Sequence, residues 1–98
     1  MKPLRIVDLA EREFREATEW YRQRDPRVAE RFIAEARRSL QLIEQFPEIG
    51  SKVPGFDDPL VRQMPIRTFP YNVVFDNEPR IQELSATALR RKGSDLGH

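Results

Sequence analysis

The side chains best suited to bind a charged partner are basic residues in the second half of the chain. Arg90, Arg91 and Lys92 form the densest basic run. Arg62 and Arg67 lie on or near neighbouring predicted strands, so one side of a sheet can present them together. The planar guanidinium of arginine matches phosphate and carboxylate groups. These five residues form the predicted target-binding patch, with ordinary solvated positions as the alternative interpretation.

Histidine and cysteine, which transfer protons near pH 7 and bind transition metals, are scarce in this sequence. It has no cysteine, and its one histidine is the last residue, His98. A thiolate nucleophile and a cysteine-based metal site are therefore excluded. Lysine acts as a base only with a strongly lowered pKa, which nothing in the sequence indicates for Lys52 or Lys92. The adjacent carboxylates of Asp57 and Asp58 do not define a coordination sphere. We expect no metal and no cofactor.

The length and the charge balance narrow the class of protein. The 98 residues include 17 basic and 16 acidic side chains, a net charge of +1. The length predicts a single domain over residues 1–98. The net charge is not the signature of a protein that coats nucleic acid. We find no apolar run long enough to cross a bilayer, and the N-terminus turns polar too soon for a signal peptide. A cytoplasmic protein is expected.

Two helices are predicted in the first half of the chain. Asp8 with Glu11 is typical of a capping box at the start of a helix over residues 9–24. Asp25-Pro26 combines a favoured N-cap with a favoured first helical residue, and predicts a second helix over 26–46. The short connection favours an antiparallel hairpin. Apolar residues recur at helical spacing along both helices, at Ala10, Phe14, Ala17 and Tyr21, and at Ala29, Phe32, Ile33, Ala36, Leu40 and Ile43.

Strand patterns surround this helical hairpin. A short strand is predicted over 4–7, an irregular segment over 47–59 with turns at its two glycines, and strands over 60–66, 71–75 and 80–87. Residues 76–79 form a predicted turn, and the tail that begins at Arg90 is predicted to fray, above all over 93–98. The order is β-α-α-β-β-β. We therefore predict a two-layer α+β domain, with the helical hairpin packed on a small antiparallel sheet.

Several short motifs resemble one family in order and spacing over residues 4–92. The chain resembles the RelE/ParE superfamily of toxins from type II toxin–antitoxin modules, often labelled plasmid stabilisation proteins. The motifs are Ala10-x-x-x-Phe14, Ala17-x-x-Trp20-Tyr21, Ala29-x-x-Phe32, Phe46-Pro47-x-x-Gly50, Val61-Arg62, Phe69-Pro70-Tyr71-x-Val73-x-Phe75 and Arg90-Arg91.

The resemblance implies different activities for two branches. RelE-like members resemble ribosome-dependent mRNA endonucleases, whereas ParE-like members inhibit DNA gyrase by binding. Asn72 stands where nuclease members commonly carry arginine, Ala88 where many members carry histidine, and residues 93–98 lack the nuclease aromatic residue. These departures favour the ParE-like branch, and for this chain we therefore predict no catalytic residues. The nuclease alternative would use a cationic cradle of Lys52, Arg62, Arg67, Arg90 and Arg91.

The ParE-like interpretation also implies partners. They are DNA gyrase as the target and a cognate antitoxin that joins the toxin in a hetero-oligomer, whereas the nuclease alternative implies the ribosome and mRNA. Trp20, Tyr21 and Phe32 are the predicted antitoxin-binding residues, and core packing is the alternative role for the first two. A third hypothesis is a non-toxic relic that only binds its antitoxin.

Overall fold

The computed structural model describes residues 3–78, 80 and 82–92. In this part of the chain the elements are β1 (Leu4–Ile6), α1 (Asp8–Arg24), α2 (Pro26–Gln45), β2 (Ser51–Lys52), β3 (Val61–Pro65), β4 (Tyr71–Asp76) and β5 (Leu84–Arg91). The predicted α+β fold with an N-terminal helical hairpin is confirmed. The short strand β2 lies within the segment that the sequence predicts to be irregular.

The described strands form one mixed sheet in the order β1-β5-β4-β3-β2. The predicted meander is confirmed, because β3, β4 and β5 pair antiparallel. The expectation of a purely antiparallel sheet is corrected by β1, which pairs parallel to β5 with Leu4 opposite Leu84. Short turns fix the direction of the meander strands. No such turn joins β1 to β5, so the sequence does not specify their relative direction.

The last strand begins and ends later than predicted. It runs over Leu84–Arg91, so Arg90 and Arg91 belong to the sheet and not to a frayed tail. Arg90 pairs with Asn72, Arg91 pairs with Tyr71, and the Lys92 N–H donates to the Pro70 carbonyl oxygen at 2.8 Å. The basic run is therefore held by backbone hydrogen bonds. Pro79 of the predicted turn, Ile81 of the predicted strand and the predicted frayed tail 93–98 lie outside the described residues.

One of the two predicted helix caps is confirmed. The Asp25 side chain accepts a hydrogen bond from the Arg27 N–H at 3.0 Å, and Pro26 begins α2. The capping box predicted for α1 is wrong, because Val7 is the N-cap residue and Asp8 lies inside the helix. Val7 extends β1 by donating its N–H to the Ala86 carbonyl oxygen, so the strand passes directly into α1. Among the described residues, no helix has the length and apolar character needed to cross a membrane.

The core lies between the helical hairpin and the facing side of the sheet. The main cluster of buried residues combines both helices with β4, β5 and the β3–β4 turn. At its centre the Phe32 ring contacts the rings of Tyr21, Phe69 and Tyr71, with centroids 5.2–5.8 Å apart. Ser39 is also buried, and its hydroxyl donates to the Pro65 carbonyl oxygen at 3.1 Å. This bond joins the middle of α2 to the end of β3.

Candidate protein-binding site

The register of the sheet places the predicted basic patch on two opposite faces. Arg62 lies opposite Phe75, a buried core residue, so it belongs to the face that the helices cover. Arg91 lies opposite Tyr71 on that same face. Arg90 precedes Arg91 in the strand, and since side chains alternate it points to the other, open face. The predicted set therefore does not form one patch.

Arg62 has a structural role at the edge of the sheet. Its guanidinium donates to the carbonyl oxygens of Ile49 and Gly50, at 3.3 and 3.1 Å. These bonds tie the segment that follows α2 to β3. Lys52 lies directly opposite Arg62 on β2 and so shares its face. The cationic cradle of the nuclease alternative is therefore divided, since Lys52 and Arg62 lie on one face and Arg90 on the other.

A groove of about 340 Å³ lies between α1 and the end of β5. We call it the Trp20 groove; its lining includes Glu13, Glu16, Ala17, Trp20, Tyr71, Leu89 and Arg91. The Trp20 side chain is 48% exposed, and the Arg24 guanidinium lies 3.5 Å above its ring. The Glu13 carboxylate accepts the Leu89 N–H at 3.0 Å. The groove thus offers one large aromatic side chain beside a strand.

The three predicted antitoxin-binding residues differ in exposure. Trp20 is open to a partner, and its ring packs edge-on against Tyr21 with centroids 5.2 Å apart. Tyr21 is half-buried, and burial above all, with the neighbouring Tyr71, raises the pKa of its phenol. Phe32 has 0% of its surface exposed, which corrects the expectation that it contacts a partner directly. Phe32 supports the Trp20 groove from the core, because its ring contacts Tyr71 in the groove lining and Tyr21, which packs against Trp20.

A second groove, of about 380 Å³, brings together two of the predicted target-binding residues. We call it the Arg38 groove; its lining includes Glu35, Arg38, Leu42, Met64, Arg67 and Lys92. Arg67 comes from the β3–β4 turn and Lys92 from the end of β5, while α2 contributes Arg38. Sequence reasoning missed Arg38. The one available signal was the Arg37-Arg38 pair, which is also typical of a solvated helix face.

Comparison with known proteins gives the family. The sequence matches the family described as "ParE toxin of type II toxin-antitoxin system, parDE" over residues 4–89. The chain belongs to the ParE toxin family. Its family is thus that of toxins from type II toxin–antitoxin systems, and the expected superfamily is confirmed in its ParE-like branch. No curated protein sequence gives a significant match.

A solved structure has the same fold as this ParE-family chain. This chain is similar to a chain of the "Chromosomal ParDE TA system from P. aeruginosa", with a TM-score of 0.76 and 17% sequence identity. The match covers 94% of this chain and 97% of that chain. At this low sequence identity the similarity shows that the two chains share a fold. The shared fold extends over nearly the whole of both chains.

Acidic side chains lie close together at the end of β4. Asp76 ends β4, and its Oδ1 is buried without a hydrogen-bond partner among the described residues. Burial first, then the charges of Asp58 and Glu78, raises the pKa of the Asp76 carboxyl above its ordinary value. The folded chain therefore holds the Asp76 proton more tightly than the unfolded chain does.

This raised pKa gives the Asp76→Asn variant a defined pH dependence. A raised acid pKa makes the free energy of unfolding fall as pH rises from the unfolded-state pKa, about 3.9, through the folded one. We expect Asp76→Asn to be more stable than the parent at pH 7 and to lose this advantage below about pH 4. Urea denaturation at the two pH values measures it. The exposed loop variant Asp57→Asn is the control, and an equal pH response of both variants would contradict the prediction.

Proposed function

We propose that this protein is a toxin that inhibits DNA gyrase by binding it, and that a cognate antitoxin neutralises it by binding in turn. The division of the basic residues between two faces of the sheet is the observation that carries the choice of binding over catalysis. Membership of the ParE toxin family supports the same choice. Both partners would place the toxin in the cytoplasm.

The nuclease alternative requires groups that the described residues do not bring together. Cleavage of RNA by its own 2′-oxygen needs a base, an acid and charge stabilisation on one phosphate. Of the residues named for it, Arg62 is bonded to two backbone carbonyl oxygens and Arg90 lies on the opposite face. Arginine cannot serve as the base because it stays protonated. Asn72, near the start of β4, donates to Gln63 at 3.3 Å and carries no charge.

The antitoxin is proposed to cover the Trp20 groove. A half-exposed tryptophan beside a strand suits an amphipathic or extended segment, since buried tryptophan is a frequent hot spot of protein interfaces. Trp20 would provide the main contact. Tyr21 packs against the Trp20 ring and is itself supported from the core by Phe32. Binding there would give the toxin–antitoxin hetero-oligomer.

The gyrase proposal predicts a direct effect on DNA supercoiling. Purified protein added to DNA gyrase and relaxed plasmid is expected to reduce ATP-dependent supercoiling in proportion to its concentration and to leave cleaved DNA. The product of an adjacent small open reading frame, added first, is expected to restore supercoiling. Heat-denatured toxin is the control for non-specific inhibition.

Three results would contradict the gyrase proposal in different ways. Full supercoiling at saturating toxin would remove gyrase as the target. Cleavage of ribosome-bound mRNA that disappears in both Arg62→Ala and Arg90→Ala would establish the nuclease alternative. Normal growth on induction without the antitoxin would favour the non-toxic relic.

A further inference from the structure

The Arg38 groove combines positive charge with an apolar floor. Three cationic side chains reach it from different elements, Arg38 from α2, Arg67 from the β3–β4 turn and Lys92 from the end of β5. Leu42 and Met64 also line the groove and are only partly exposed. One acidic side chain, Glu35, shares the groove. The net positive charge therefore surrounds a surface that apolar groups can contact.

Glu35 adds an unmet hydrogen-bond requirement to this groove. Its Oε1 atom is buried and has no hydrogen-bond partner among the described residues. A buried acceptor without a donor costs free energy, about 1–3 kcal/mol in ordinary cases. Because Oε1 itself is buried, it is not offered to a ligand in the groove. The accessible surface of the groove is therefore that of its cations and of Leu42 and Met64.

We propose that the Arg38 groove binds an acidic peptide segment of a partner protein. The carboxylate of an Asp or Glu side chain would lie among Arg38, Arg67 and Lys92. A neighbouring apolar side chain would cover Leu42 and Met64. This inference deepens the proposed function, because it assigns a chemistry to the protein segment that the toxin recognises.

A peptide fits this groove better than a nucleic-acid backbone does. Phosphodiester chains favour a continuous basic track, on which carboxylates are unfavourable. Here Glu35 interrupts the positive charge, so the groove does not provide such a track. A phosphate also gains nothing from Leu42 and Met64, while an apolar side chain gains by burying their surface. Charge and apolar area together therefore specify an acidic and apolar peptide.

The direct test is a titration of the full-length protein with a capped tetrapeptide of alternating aspartate and leucine. Backbone amide spectra locate the binding, with shifts expected at Leu42, Met64 and Arg67. Arg38→Gln and Arg67→Gln are each expected to weaken binding about tenfold, the size of a lost charge-assisted hydrogen bond. Arg37→Gln is the matched control, because Arg37 is also exposed on α2 but is not part of the groove lining. It is expected to bind like the parent.

Three results would overturn the proposal. One is the absence of shifts at millimolar peptide, the second is equal weakening by Arg37→Gln, and the third is equal binding of a peptide with asparagine in place of aspartate. Inorganic phosphate that reproduces the shifts would reveal an anion site only, and tighter binding of an oligoribonucleotide would reveal a nucleic-acid site. Thermal melts of the variants exclude unfolding as the cause. A toxin that inhibits gyrase but ignores the peptide would overturn this inference and leave the proposed function standing.

Discussion

Replacing Phe32 with alanine is expected to lower the free energy of unfolding by about 3–5 kcal/mol. Phe32 is fully buried, and its ring contacts those of Tyr21, Phe69 and Tyr71. Truncation therefore removes buried apolar area and leaves a cavity where α1, α2, the β3–β4 turn and β4 meet. Since a domain of this size has a total stability of about 5–15 kcal/mol, the loss is a large share.

The measurement is urea denaturation followed by circular dichroism, together with a thermal melt. Each kcal/mol is expected to lower the melting temperature by about 4–8 °C in a domain of this size. Phe46→Ala is the matched control, because this phenylalanine lies at the end of α2 with 57% of its surface exposed. We expect it to change stability by less than about 0.5 kcal/mol. Equal losses in both variants would show that Phe32 is not the centre of the core.

A gentler substitution keeps this prediction measurable if the alanine variant does not fold. Phe32→Leu retains most of the apolar volume and is expected to cost about 1.5 kcal/mol. It should also reduce the order of the Trp20 groove, because Tyr21 packs against both Phe32 and Trp20. Tryptophan fluorescence of Phe32→Leu reports this change. An unchanged spectrum would show that the order of the Trp20 groove does not depend on the packing of Phe32.

The features that the sequence predicts correctly depend on neighbours along the chain. Asp25-Pro26 separates the helices because a cap and a fixed φ act within one turn. The apolar stripes of both helices point to the core because helical periodicity alone selects the buried face. Gly50 and Gly55 have positive φ, as expected for turn positions.

The features that the sequence does not predict depend on register and on distant elements. Arg90 and Arg91 extend β5 because they pair with Asn72 and Tyr71, residues that are far away in sequence. A strand alternates its side chains, so a shift of one residue exchanges the two faces of the sheet. The division of the basic patch follows from that register. The Arg38 groove likewise exists only after α2, the β3–β4 turn and the end of β5 meet.

The second large loss of stability is expected on substitution of Gly50, because the backbone conformation there favours glycine. This residue has φ +91°, and a Cβ atom there would collide with the carbonyl oxygen of Gln63 on β3. Gly55 has a similar φ of +85°, but a Cβ atom there would meet nothing within 4 Å. The two glycines therefore share the same backbone strain on substitution and differ in available space.

Replacing each glycine with alanine separates the cost of backbone strain from the cost of the collision. Gly55→Ala is expected to lose about 1–2 kcal/mol from backbone strain alone. Gly50→Ala is expected to lose about 2–5 kcal/mol, because the collision adds the cost of overpacking. Chemical denaturation of both variants gives the difference. Equal losses would mean that the segment before β2 moves away from β3 without cost.

The hydrogen bonds around Gly50 explain why that movement should be costly. Its carbonyl oxygen accepts from the Arg62 guanidinium, and the next residues, Ser51 and Lys52, pair with Gln63 and Arg62 of β3. Displacing Gly50 therefore breaks the Arg62 contact and the β2 pairing together. Hydrogen exchange should show faster exchange of the β2 and β3 amides in Gly50→Ala and parent-like protection in Gly55→Ala. Loss of protection in both variants would place the cause in backbone strain instead of in the contact with Gln63.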